Sequence, residues 1–238
     1  MQSTTTQLTY SQKHSMSWLQ FIGSFLFAFY GTRLLSEFFI GLPVLIYSEG
    51  VTDQKQIALI TSIQDTGNSL LLLGILLTFI YTYEPLKNLI VPVINFKVLK
   101  KVSTYIYLFL FFGLSIVINS FILIHLFPDA TTEQASALNL EVLKQYKLLL
   151  LLGSAVFIPI FEELICRGII LHFFQQRFPF WLAAIGSSFL FGIGHTYSLG
   201  VMVTTFIMGL FMAVLCKKTN SIIPAILFHM MNNTLAFL

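Results

Sequence analysis

Residues 148–171 read LLLLLGSAVFIPIFEELICRGIIL, an apolar run long enough to cross a bilayer that carries Glu162, Glu163 and Arg167 near its middle. On an insertion scale each such charge costs roughly 2.5–3.5 kcal/mol at a helix centre, and three together cost on the order of 8–10 kcal/mol, comparable with the stability of a whole domain. A chain that keeps them must compensate that cost, and a catalytic site is the leading reason to do so.

The composition around this run excludes a soluble domain. Of the 238 residues 56% are hydrophobic and only 10% charged, with 25 Phe and a mean hydropathy of +0.84. The reading is an all-α, polytopic transmembrane helical bundle of about seven spans, at roughly 18–46, 57–82, 103–127, 146–173, 180–196, 200–216 and 221–238. The first block is too long for a signal peptide's apolar core and is expected to be retained. A mobile tail over 1–15, N-terminal helices over 16–145 and a catalytic core over 146–238 form one integrated membrane domain. The segment 128–144 suits a short helix outside the bilayer.

Charge divides the loops into two sets. Lys87, Lys97, Lys100, Lys101, Arg177, Lys217 and Lys218 fall in one set, and Glu49, Asp53, Asp129, Glu133 and Glu141 in the other. The positive-inside tendency then predicts a cytoplasmic N-terminus, and the compactness of the chain suggests a bacterial plasma membrane. A net charge of +3, scattered, gives no footprint for nucleic acid. Cys166 and Cys216 lack CxxC spacing and read as buried free thiols.

Three later polar groups complete the pattern. Glu163 and Arg167 lie four apart, in the favourable order for an ion pair on one helix face, while Glu162 points about 100° away. The two carboxylates should therefore differ in role, with Glu163 held ionised by the guanidinium and Glu162 free to exchange protons as a general base. Phe191-Gly192-Ile193-Gly194-His195 closes the fifth span, after Ala183, Ala184, Gly186, Ser187 and Ser188, which allow a neighbouring helix to approach closely. His229-Met230-Met231-Asn232-Asn233 puts His229 and Asn233 on one face of the last span. At about 1.5 Å per residue, Glu162 lies about 15 Å, His195 about 22 Å and His229 with Asn233 about 12–18 Å from one membrane face. They can converge on one buried site able to activate water and stabilise an oxyanion. Metal is not favoured, for HExxH is absent, although zinc on Glu162, His195 and His229 with a water is possible. Arg33 is expected to contact Asp65 or Glu37 in a structural role.

The ordered set EExxxR at 162–167, FxxxH at 191–195 and HxxxN at 229–233 resembles the CPBP family, also called Abi, of CAAX proteases and bacteriocin-processing enzymes. The similarity covers roughly Leu148 to Leu238. It implies an intramembrane endopeptidase in which Glu162 and His195 activate water and His229 and Asn233 stabilise the oxyanion, with Glu163 and Arg167 in support. The family has been called metalloprotease, and a metal-independent glutamate mechanism fits the set at least as well. The implied partner is a peptide or small protein substrate at the membrane, cleaved in peptide maturation or in self-immunity against a bacteriocin. A non-proteolytic immunity or scaffold protein of the same fold is the alternative. A proton-coupled transporter is a weaker one, since no inverted repeat is visible.

Overall fold

The computed structural model describes residues 16–237, so the tail expected over 1–15 lies outside the described residues. Those residues form helices joined by short turns, with no strand among them. Five helices are long and apolar enough to cross a membrane: α1 (Trp18–Ser48), α2 (Gln54–Thr82), α4 (Val102–His125), α6 (Leu140–Gln175) and α8 (Leu199–Thr219). Between them lie α3 (Glu84–Ile90), α5 (Ala130–Ala137) and α7 (Phe180–Ile193), and α9 (Ile223–Phe237) ends the fold. Each of the seven expected segments is thus a helix, and α5 is the short helix expected after Pro128.

Helices α7 and α9 differ from the expectation in length. They have 14 and 15 residues, about 21 and 22 Å, against the roughly 30 Å of a hydrocarbon core. For α7 the physical reason lies in the turn that follows it. Gly192 and Gly194 stop the helix early, and the following irregular backbone, which includes His195 and Tyr197, borders a cavity instead of lipid. Irregular backbone at such depth is tolerated only in that setting.

Close packing between α7 and α8 rests on the small residues of α7. Ala183, Ala184, Ser187 and Ser188 are all buried, and a Cβ on Gly192 would stand 2.8 Å from the Met202 carbonyl oxygen on α8. The main core gathers Phe161, Ile169 and Phe173 of α6 with Met212 of α8 and Phe228 of α9, all buried.

The basic loops found by charge gather at one end of the bundle. Ser221 donates to the Asn95 carbonyl at 3.1 Å, and the Ile222 N–H to that of Val93 at 3.0 Å, which ties the 91–101 connection to the α8–α9 turn. Lys217 Nζ lies 4.1 Å from the Phe180 ring centroid, and Arg177 donates to the Met16 carbonyl, bringing the α6–α7 turn and the start of α1 to that same end.

Gly192→Ala should therefore force α7 and α8 apart and cost about 1–3 kcal/mol. Gly74→Ala, where an added Cβ meets nothing within 4 Å, should be neutral or stabilising by up to about 1 kcal/mol. Thermal unfolding of the two variants in nanodiscs checks the contrast.

Candidate active site

Helix α6 does not run as a plain α-helix through its charged stretch. It widens into π-helical turns at Leu151–Phe157 and Leu164–Leu171, on either side of the segment that carries Glu162 and Glu163. Pro159 explains part of this. It has no N–H, so the Ser154 carbonyl, whose π-type partner would be residue 159, is left without one, while the Ile158 N–H bonds to Gly153. Asn233 fills that place, donating its side-chain N–H to the Ser154 carbonyl at 2.9 Å.

Glu163 and Arg167 pair as their spacing predicts. Arg167 Nη1 donates to Glu163 Oε1 at 3.0 Å, and both side chains are fully buried. Nη2 of the same guanidinium donates to the Gly209 carbonyl at 3.0 Å. That approach needs glycine, because a Cβ on residue 209 would lie 2.9 Å from Nη2. Glu163 Oε1 faces one further group, His229 Nδ1, at 3.0 Å. A chain therefore runs from Arg167 through Glu163 to His229. A carboxylate can only accept here, so Nδ1 carries the proton and Nε2 of His229 is turned the other way.

That nitrogen points at the second carboxylate. Glu162 Oε2 lies 3.7 Å from His229 Nε2 and 4.0 Å from His195 Nε2. The His195 ring is held by its other nitrogen too, since Nδ1 donates to the Phe191 carbonyl at 2.8 Å. The fraying end of α7 frees that acceptor: the His195 backbone N–H bonds to Gly192 and leaves Phe191 to the side chain. This accounts for the four-residue spacing of FxxxH. The Phe191 ring is a common floor, 4.8 Å from the His195 ring, 5.5 Å from that of His229 and 4.5 Å beneath the Arg167 guanidinium.

The sequence-derived set thus comes together. Glu162, His195 and His229 meet, Glu163 and Arg167 stand behind His229, and Asn233 lines the same cavity of about 500 Å³ as the first three. Asn233 commits one of its two amide hydrogens to Ser154, so a single N–H remains for any other partner. Glu162 Oε2 is buried and has no hydrogen-bond partner among the described protein groups. Donors around a tetrahedral zinc, bonded at about 2.0–2.1 Å, lie about 3.3–3.4 Å apart. The separations from Glu162 are longer, and among the described residues no group of three or more His, Cys, Asp or Glu is arranged to hold a metal ion.

Residues 144–235 match a family model described as Rce1-like, type II CAAX prenyl endopeptidase Rce1-like. This segment of the chain is similar to that family. Among curated proteins and among solved structures nothing matches. The matched segment contains every residue of the three motifs.

The cavity also draws on helices outside the matched segment, which the sequence did not reveal. Arg33 of α1 and Asp65 of α2 line it. The expected contact of Arg33 with Asp65 or Glu37 is not formed: among the described residues, ion pairs occur only around Glu162 and Glu163. The reason is geometric, for Arg33 donates to the Phe29 carbonyl one turn back at 2.6 Å and its guanidinium covers the Phe29 ring at 4.4 Å. Asp65 instead accepts from Ser154 Oγ at 3.5 Å. Their one sequence signal was a charge inside an apolar span. Cys166 and Cys216 are both free and buried, as expected.

Arg167→Leu strands a buried Glu163 carboxylate and should cost about 3–5 kcal/mol. The double variant Glu163→Gln with Arg167→Leu should recover a large part of that loss. Thermal unfolding of the single and double variants in nanodiscs is the check, and a double variant as unstable as the single one would contradict the pairing.

Proposed function

We propose that the chain is an intramembrane endopeptidase in which Glu162 and His195 activate a water molecule and His229 with Asn233 stabilises the oxyanion. The observation that supports this most directly is the unpartnered Glu162 Oε2 facing two imidazole Nε2 atoms at 3.7 and 4.0 Å. Separations of that size between polar atoms suit a bridging water better than a direct contact.

The two histidines divide the work by their second nitrogens. His195 gives its Nδ1–H to a neutral carbonyl, so the uncharged ring presents the Nε2 lone pair and accepts a hydrogen bond from the water. His229 gives its Nδ1–H to the Glu163 carboxylate, the group that supports a positive imidazolium. In that state Nε2–H donates to the oxyanion, and the remaining Asn233 N–H is the second donor.

In the reaction Glu162 takes one proton from the water while the water oxygen bonds to the peptide carbonyl carbon. The carbonyl π pair moves onto its oxygen as the oxyanion. Collapse re-forms the carbonyl and breaks the C–N bond, and the proton held by Glu162 passes to the leaving amine. One water is consumed, and a carboxylic acid and an amine leave. No metal takes part in this scheme.

The substrate we favour is a small membrane-associated peptide or protein cut near one end, in peptide maturation or self-immunity. A second cavity of about 250 Å³, lined by Phe25, Phe29, Ile165 and Leu190, opens on Glu162 and His195 and suits an apolar stretch of it. The basic end of the bundle faces the cytoplasm in this reading.

Cleavage of a membrane peptide library by the purified protein in nanodiscs, read by mass spectrometry, tests the proposal. Glu162→Gln should lower the rate by at least about 100-fold and His229→Ala by about 100- to 1,000-fold. Chelator treatment should leave the rate unchanged. Undiminished cleavage in Glu162→Gln would reject the mechanism, and one zinc per chain lost on His195→Ala would overturn its metal independence.

A further inference from the structure

The apolar and the polar cavity have three residues in common: Glu162, His195 and Arg33. Two of them are the proposed water-activating pair. The third comes from α1, far from the motifs in sequence, and has no ion-pair partner among the described residues.

Arg33 sits in the centre of α1, fifteen residues from Trp18 and from Ser48, which is about 22 Å from either end of the helix. A guanidinium at that depth costs roughly 2.5–3.5 kcal/mol unless a partner or water relieves it, and its side chain is too short to reach a headgroup region from the middle of the layer. Among the described residues its side chain's only hydrogen bond is to the Phe29 carbonyl through Nη1, which leaves most of the guanidinium's donors without an acceptor there. A planar fork of donors of this kind matches a carboxylate in two-point geometry. Phospholipid phosphates lie at the layer's edges, so the anion that meets Arg33 must arrive with something held between the two cavities. Neither Asp65 nor Glu37 forms an ion pair with Arg33 among the described residues.

We propose that Arg33 is a specificity residue that binds a carboxylate of the peptide lying across the junction, while the apolar cavity takes its neighbouring apolar side chains. The proposal rests on reading the junction as a peptide site. It adds a requirement that hydrolysis alone does not have: the substrate carries a negative group within a few residues of the bond that faces Glu162. This carboxylate is either the peptide's C-terminus or an acidic side chain, and both present the same two oxygens.

Equilibrium binding of three short probes to the full chain in phosphatidylcholine nanodiscs separates these sources. The probes are acetyl-Leu-Leu-Leu with a free C-terminus, its C-terminal amide, and acetyl-Leu-Glu-Leu amide. At least one of the two acidic probes should bind about 10-fold or more tightly than the neutral amide, and whichever does identifies the carboxylate. Arg33→Gln should erase the preference, whereas Arg33→Lys should keep part of it. Equal affinity for all three probes, or a preference that survives Arg33→Gln, overturns the proposal. Loss of the preference when phosphatidylglycerol replaces phosphatidylcholine would also overturn it, by assigning the guanidinium to a lipid headgroup. The same binding measured on Glu162→Gln keeps the two readings apart. Cleavage that persists in that variant removes the hydrolytic mechanism without touching the binding result, and probe binding indifferent to residue 33 removes the specificity role without touching hydrolysis.

Discussion

A fully buried ion pair, Arg167 to Glu163 at 3.0 Å, is the constraint around which the rest of this structure is arranged. Removing both charges from water is expensive, and their attraction offsets that expense only when the remaining donors and acceptors are also satisfied. The guanidinium meets this in part by donating Nη2–H to the Gly209 carbonyl and lying on the Phe191 ring, and the carboxylate by receiving His229 Nδ1–H on Oε1, while Arg167 Nε and Glu163 Oε2 stay buried without a protein partner. Each of these partners sits on a different helix. One pair on α6 therefore fixes the positions of α7, α8 and α9 relative to it, and its demand for acceptors and close approach explains a glycine at 209 and an aromatic at 191.

The proposed chemistry follows from what this arrangement leaves over. With Nδ1 of both histidines engaged, their Nε2 atoms are the ones that face Glu162. Glu162 Oε2, a buried carboxylate oxygen without a protein partner, is thus flanked by groups able to exchange or share protons, at distances that admit a water molecule. Adjacent glutamates in one helix have opposite duties because the helix turns by about 100° between them. One is tied into the scaffold, and the other is exposed to the cavity.

Much of this was legible from residues alone. The apolar runs marked the seven helices, the basic loops gather at one end of the bundle, and the spacing of Glu163 and Arg167 predicted their pair. Other features needed coordinates because their signal is not periodic. Pro159 frees the Ser154 carbonyl that anchors Asn233, a relation between a missing N–H and a residue some eighty positions away. The shortness of α7 follows from two glycines that could equally have sat inside a longer helix. Arg33 pointed in sequence to an internal contact, and in three dimensions it lies at the junction of two cavities instead. Nothing local distinguishes those outcomes, since both begin as one cation in an apolar span.

The account's central claim is that both imidazoles hold their Nδ1 proton against the scaffold and turn Nε2 toward Glu162. Nitrogen-15 solid-state NMR of the histidine rings in nanodiscs measures this directly. Protonated Nδ1 in both His195 and His229, with the His229 Nδ1 signal displaced by Glu163→Gln and that of His195 unmoved, is the result the account requires. A proton on Nε2 with a bare Nδ1 in His229, or a ring indifferent to residue 163, would contradict it.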